Sequence, residues 1–173
     1  MIMNKTIENI INRVSCRSYN EKKVPLSKLN QILEAGKYAP SGMNRQVCNI
    51  LAVRSKSKVE EIRKALINKF NRDCLYGANT LIIVYGDKDG GLLVKDGSCI
   101  LENMFVAAAS LKIDSCWINQ LDDLLSDPNN QKLRKELGLK DNDVVVGSAI
   151  VGYRKDEDKI AVKPRKEDFI RIL

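Results

Sequence analysis

The stretch LNQILEAGKYAPSGMNRQ, Leu29–Gln46, ends a helix and then crowds hydrogen-bonding groups at its exit. Leu29, Ile32, Leu33 and Gly36 recur at helical spacing and mark one packed face. Pro40 stops the helix, because it lacks an N–H and restricts the residue before it. Ser41, Gly42, Asn44, Arg45 and Gln46 then follow in quick succession, more polar groups than a surface turn needs. Two readings stand on this pattern alone. Asn and Gln can satisfy the chain's own backbone at a helix stop. Alternatively, Ser41 and Gly42 present backbone N–H groups as a small anion nest. Asn44 and Gln46, sharing one face of an extended segment, then offer amide donors and acceptors to a ring edge of mixed polarity.

Working outward, Ile7, Ile10, Ile11 and Val14 predict a first helix over Lys5–Val14. Asn49–Val53 reads as a strand. Ser57 and Glu60 have capping-box spacing before a helix whose face is Val59, Ile62, Leu66 and Phe70. Thr80–Tyr85 is a buried strand, and Gly90-Gly91 is a flexible point. Cys99–Leu111, apolar around most of its circumference, reads as a central helix. Ser115–Ile118 is extended. Asp127 caps a helix that starts at Pro128 and stops at Gly138. Val144–Val146 and Ala149–Tyr153 are strand segments separated by Gly147, followed by a charged turn over Lys155–Lys159. The C-terminal KPRKEDFIRIL ends in apolar residues suited to lying along another element or another subunit. Three or four strands mixed with four or five helices, without repeats or linkers, predict one α/β or α+β domain over residues 1–173.

The chain has 173 residues, 44% hydrophobic and 29% charged, in the range of an ordinary globular domain. No apolar run approaches the roughly 20 residues that span a bilayer, and the N-terminus does not read as a secretory signal, so a cytoplasmic location is expected. The formal charge is +7. The bases form no long stripe and do not interleave with aromatic residues, which weighs against a nucleic-acid groove. The five cysteines, Cys16, Cys48, Cys74, Cys99 and Cys116, contain no CxxC spacing. They predict small buried hydrophobes rather than a disulfide framework or a zinc site. The absence of histidine removes Ser-His-Asp, Cys-His and histidine-ligated metal chemistry. A cofactor supplying the reactivity fits that absence.

Arg13 and Arg17 lie four apart around Ser15, on one side if helical geometry continues that far. Two guanidinium groups and a hydroxyl can grip a phosphate; they also suit a solvated helix end. Arg165, beside Pro164 and Lys163, is a further candidate anion ligand or part of a basic tail. Trp117 either fills the core edge or stacks near an aromatic cofactor.

Taken in order, RVSCRSYNEKKV, LNQILEAGKYAPSGMNRQ, SCWI, VGY and KPR resemble the nitroreductase family of flavoenzymes across essentially the whole chain. The resemblance implies an α+β fold of three layers, α/β/α, with a central mixed, mainly antiparallel sheet flanked by helices. It implies FMN as cofactor, held at the phosphate by Arg13, Ser15 and Arg165, with Arg17 toward the ribityl or pyrimidine side. Pro40, Ser41, Gly42 and Asn44, supported by Gln46, would reach the flavin bound mainly by the other subunit of a homodimer. Trp117, Ile118 and Asn119 would approach the isoalloxazine ring.

The implied activity is a ping-pong oxidoreductase that takes hydride from NADH or NADPH and passes it to an electron-poor acceptor such as a nitroaromatic or quinone. No side-chain acid or base is singled out, and no metal is expected. A flavoenzyme reducing an activated alkene, a non-catalytic flavin-binding protein and, more remotely, a basic nucleic-acid-binding module are the alternatives. The chain departs from the family at Val47-Cys48, where Pro-Trp often follows the glutamine, and near Gly147, where a proline commonly precedes the late strand. It is also short, with little room for the helical excursion that shapes the substrate pocket in longer members.

Overall fold

The computed structural model describes residues 3–155 and 160–173; the charged turn expected over Lys155–Lys159 lies outside them except for Lys155. Four strands form the sheet: β1 (Cys48–Val53), β2 (Leu81–Asp87), β3 (Asp114–Ile118) and β4 (Asp143–Gly152). Their order is β1-β2-β4-β3, and each adjacent pair is antiparallel. A parallel bridge between Ser15 and Ser115 adds the segment after the first helix to the outer edge of β3. The sheet is thus mixed but mainly antiparallel, as expected.

Alternation along the strands builds two cores. Leu81, Ile83, Cys116, Ile118 and Ile150 join one, with Val59, Ile62 and Leu66 of α3 (Lys56–Phe70) and Leu121, Leu124 and Leu125 of α5 (Gln120–Ser126). Ile82, Val84, Ala149 and Val151 join the other, with Leu29 and Ile32 of α2 (Leu26–Lys37) and Leu101, Met104 and Ala108 of α4 (Leu93–Ser110). Residues adjacent in sequence therefore face opposite helical layers, which explains why LIIV in β2 is apolar throughout. Gly36 lets α2 approach α4 closely: a Cβ there would stand 2.9 Å from Met104 Cγ.

Several boundaries differ from the pattern reading. Helix α1 (Lys5–Asn12), capped by Asn4, ends two residues earlier than expected, and Arg13 is already extended. Ser55, not Ser57, caps α3 by accepting the Lys58 N–H. Helix α4 begins at Leu93 rather than Cys99; Lys95, Asp96 and Ser98 had hidden its first turns from an apolar count. Helix α5 was not anticipated, although Leu121, Leu124 and Leu125 have helical spacing. The two expected late strand segments are one strand, β4. Its register shifts opposite Val84/Tyr85, so that Val84 pairs with Gly147 and Tyr85 with Val145, leaving Val146 as the extra residue of a bulge. Asp127 caps a 3-10 turn at Pro128–Asn130, which leads into α6 (Gln131–Glu136), and Gly138 ends it at φ +77°. The buried Arg134 guanidinium donates to the carbonyls of Leu125, Lys140 and Asp143, tying α6 to the start of β4. Among the described residues, no helix is long and apolar enough to cross a membrane.

Asp122, in the first turn of α5, carries a buried Oδ1 without a hydrogen-bond partner among the described residues. Burial, reinforced by the neighbouring Asp123 charge, pushes its carboxyl up to about 7. The folded state therefore holds this proton more tightly than the unfolded chain, whose aspartates titrate near about 4. The stability from this site is complete below about pH 4 and is lost as pH rises through about 7. The variant Asp122→Asn should match the parent's melting temperature near pH 4 and exceed it above pH 7, as read by thermal unfolding across that range.

Candidate functional site

The first part of the site forms where the chain leaves α1. Arg13 breaks the helix, and the backbone runs beside β3, with the Cys16 N–H donating to the Ser115 carbonyl at 3.0 Å. The expected helical pairing of Arg13 and Arg17 is thereby replaced by strand-like alternation. Cys16 points into the core, whereas Arg13, Ser15 and Arg17 belong to the opposite, more open set. The C-terminal segment crosses the same place. Arg13, Ser15, Arg17, Lys163 and Arg165 line one cleft of about 240 Å³ that has no carboxylate among its described lining residues. Spacing alone left the meeting of Arg13 and Arg165 open; the fold brings both to one cleft. Four cations and a hydroxyl form a donor set suited to a phosphate.

This cleft is linked to the aromatic face. The Arg13 guanidinium lies 5.8 Å from the centroid of Phe105, which is 6.3 Å from the Trp117 ring at a 49° tilt. Trp117 covers the backbone of Gly147, where a Cβ would stand 2.3 Å from Cζ2. Trp117 is 36% exposed, so its ring is only partly used as core. Ile118 faces the other way: its side chain is buried in the α3–α5 core and its carbonyl accepts from the Ser148 hydroxyl at 2.6 Å. The expected approach of Ile118 to a ring beside Trp117 therefore does not extend to its side chain. Asn119 is exposed at the start of α5.

The second part is the loop after α2. It is not extended, as the Asn44–Gln46 reading required. Gly42–Asn44 form a 3-10 turn, and Met43, Asn44 and Gln46 have φ of 52°, 54° and 50°. Such left-handed values are costly for a residue like methionine and milder for asparagine. Gln46 contacts Asn44 directly, Nε2 donating to Oδ1 at 3.0 Å, and the Gln46 N–H donates to Ser41 Oγ at 3.1 Å. These bonds leave the Ser41 O–H and the Asn44 NH₂ as donors. The expected anion nest is taken by the chain itself, since the Gly42 N–H donates to Asp96 Oδ1 and Oδ2 at 3.1 and 3.2 Å. Pro40, Ser41, Gln46, Cys48 and Asp96 border a cleft of about 490 Å³.

The two parts lie apart within one chain. The loop meets Asp96, near the N-terminal end of α4, whereas Arg13 also borders a cleft reaching Ala109 and Lys112 at the other end. Asp96 and Ala109 are about 20 Å apart along the helix axis. Phe105 and Asp96 had no local sequence signal. Asp96 is tied to the loop across 54 residues.

Burial disfavours the thiolate at the two cysteines nearest the candidate site. Cys48 donates to the Leu93 carbonyl at 3.5 Å, and burial, with the Asp96 charge, pushes its thiol up to about 11. Burial also raises Cys116, outweighing Arg17. Cys16, Cys74 and Cys116 are buried, but Cys99 is exposed on α4, contrary to expectation.

Comparison with known proteins gives this geometry a context. The Nitroreductase family model matches residues 10–73 and 66–153. A crystal structure of a Bacteroides fragilis nitroreductase with bound FMN superposes with a TM-score of 0.90 at 36% identity, covering 99% of this chain and 100% of that one. A nitroreductase with bound FMN from Desulfitobacterium hafniense shares the fold at a TM-score of 0.90 and 24% identity, with the same coverage. A protein of Archaeoglobus fulgidus, provisionally named an NADH dehydrogenase/NAD(P)H nitroreductase, is 29% identical over 160 residues, 90% of this chain and 88% of its own length. By matched extent and by overall structure, the chain belongs to the nitroreductase family.

Proposed function

We propose that the protein is an FMN-dependent oxidoreductase that passes reducing equivalents from NADH or NADPH to an electron-poor acceptor such as a nitroaromatic or quinone. The convergence of Arg13, Ser15, Arg17 and Arg165 in one cleft, with no carboxylate among its described lining residues, carries this reading. Those residues fit the phosphate end of FMN, and the partly exposed Trp117 offers a flat apolar surface beyond Phe105. The FMN bound by the 36%-identical B. fragilis protein supports the same assignment. FMN supplies the two-electron redox chemistry when bound. The protein's own task is to bind, orient and exclude water. The cations neutralise the phosphate, and donors near the ring favour added negative charge. No side-chain base is required by this assignment, consistent with a chain without histidine.

The same reading gives a homodimer. Ser41 and Asn44 retain hydrogen-bond donors, yet their loop meets the opposite end of α4 from the cationic cleft. A second copy supplying this loop would complete each site. Exposed apolar groups offer the contact area: Ile7, Ile10 and Ile11 on α1, and Phe169, Ile170 and Ile172 in the tail. Their burial contributes about 25 cal/mol per Å² of apolar surface.

The deciding experiment is the visible spectrum of purified protein supplied with FMN, before and after anaerobic NADH or NADPH. Protein-bound flavin absorption that bleaches with the nicotinamide is expected; no flavin uptake would sink the proposal, and uptake without bleaching would leave a flavin-binding protein. In titrations of FMN, Arg165→Ala should weaken binding about tenfold or more, the scale of a lost charge-assisted contact, with little change in melting temperature because this side chain is exposed. Native mass measurement should give two chains per particle, and the mass of one chain would remove the shared-site arrangement.

A further inference from the structure

We infer that Asp96 is a positioning residue for the Ser41–Asn44 loop, holding its free donors in the orientation that FMN requires. This deepens the flavin reading above and rests on it. Asp96 is only 6% exposed, and among the described residues it forms no ion pair. Its negative charge is instead placed in the first turn of α4, where the helix dipole favours an acid. Both carboxylate oxygens accept the same backbone N–H, that of Gly42. Such a charge-assisted bond is stronger than one between neutral groups.

The contact is built from both sides. Gly42 sits against Leu92, the residue preceding α4, so closely that a Cβ would stand 2.3 Å from Leu92 Cδ1. A side chain at position 42 would have to displace the Leu92 side chain, so glycine leaves the packing beside the carboxylate undisturbed. On the loop side, three non-glycine residues with left-handed φ need an external hold to persist together. The Gln46 bonds tie the loop to itself, fixing Ser41 to Asn44, but they do not tie it to the body. The Asp96–Gly42 bond supplies that tie. It lies one residue from Ser41 and two from Asn44, the residues whose hydroxyl and NH₂ donors are not used in the loop's internal bonds. Asp96 itself donates nothing to an acceptor-rich ligand, so its role acts through Gly42.

The test compares Asp96→Ala with Asp96→Asn in the full chain, using FMN titration followed by flavin fluorescence. Amide hydrogen exchange is measured on the FMN-free proteins. Asp96→Asn keeps an acceptor oxygen and should bind FMN within about threefold of the parent. Asp96→Ala should raise the Kd about tenfold, the size of one lost charge-assisted bond. It should also accelerate exchange of the Gly42 amide while the β2 amides stay protected. Should Asp96→Ala fail to fold, Asp96→Ser, whose hydroxyl is held further from Gly42, carries the same comparison. FMN binding by the short variant equal to the parent's overturns the inference, as does equal weakening by Asn and Ala. A parent that takes up no FMN fails the flavin reading and this inference together; a parent that binds FMN while the short variant is unimpaired fails this inference alone.

Discussion

The pairing of the segment after α1 with the outer edge of β3 is the constraint from which the cationic cleft follows. Ser15 bridges Ser115, and the Cys16 N–H is satisfied by the Ser115 carbonyl. Further on, the Tyr19 N–H donates to Tyr76 at 3.0 Å and the Asn20 N–H to Tyr153 at 2.9 Å. The Ser115 contacts cover part of the β3 edge, and the later two bonds tie the segment to the turn before β2 and to the residue after β4. Cys16 and Tyr19 anchor the segment, with 0% and 3% exposure. Gly152 makes room for the tyrosine ring, since a Cβ there would stand 2.8 Å from Tyr19 Cδ1. Burial pushes the Tyr19 phenol upward, so it remains a neutral core group. With Cys16 facing inward, alternation turns Ser15 and its arginine neighbours toward the cleft. A loose segment would leave the arginines to be oriented at the moment of binding, at the entropic cost of ordering long side chains.

The charge distribution divides the basic residues into two kinds. Some pair with acids and hold the fold: Arg63 with Glu60 and Asp73, Arg154 with Asp114, Lys69 with Asp127. These pairs are partly buried, and they are tied further into the fold: Arg63 also donates to the Ala78 carbonyl, and the Arg154 N–H joins Asp114 to the end of β4. Arg13, Arg17 and Arg165 instead share a cleft without carboxylates among its described lining residues. The overall charge of +7 conceals this division. Spacing locates each arginine but does not say which of them line one cleft, because that depends on the path of the C-terminal segment past Arg13–Arg17.

The parts of the fold legible in sequence were those in which local chemistry and tertiary packing agreed. Leu29, Ile32 and Gly36 mark α2 and are all buried. The apolar run of β2 is central in the sheet, and Gly138 stops α6. Failures arose where two local readings overlapped. Val14 continues the helical spacing of Ile7, Ile10 and Ile11, yet with Cys16 it also continues a period of two. The edge of β3 decides for the second. Gly147 reads as a break between strands, but its demand is for space under Trp117, and β4 passes through it unbroken. Ser55 and Ser57 are both chemically competent caps; only the backbone direction distinguishes them. For Asp96 there was no competing signal to misread. Its partner is a backbone N–H far away in sequence, and no side-chain pattern advertises such a contact.

The two halves of the candidate site share a logic of hydrogen-bond direction. In the cleft, arginine and lysine can only donate. In the loop, three acceptors are engaged internally: Asn44 Oδ1 by Gln46, Ser41 Oγ by the Gln46 backbone, and the Asp96 carboxylate by Gly42. What the two halves offer a ligand includes the Ser41 proton, the Asn44 amide protons and the cationic groups of the cleft. The loop therefore gains its polarity not from the number of polar residues that first made it conspicuous, but from how their acceptors are turned inward. On the proposed two-subunit arrangement, a ligand that satisfies both halves is rich in acceptors at two separated places, one of them anionic, with an apolar surface to meet Trp117. That demand is more selective than positive charge alone, because a polyanion without a ring would leave Trp117 exposed, and a neutral ring without a phosphate would leave the cationic cleft unfilled.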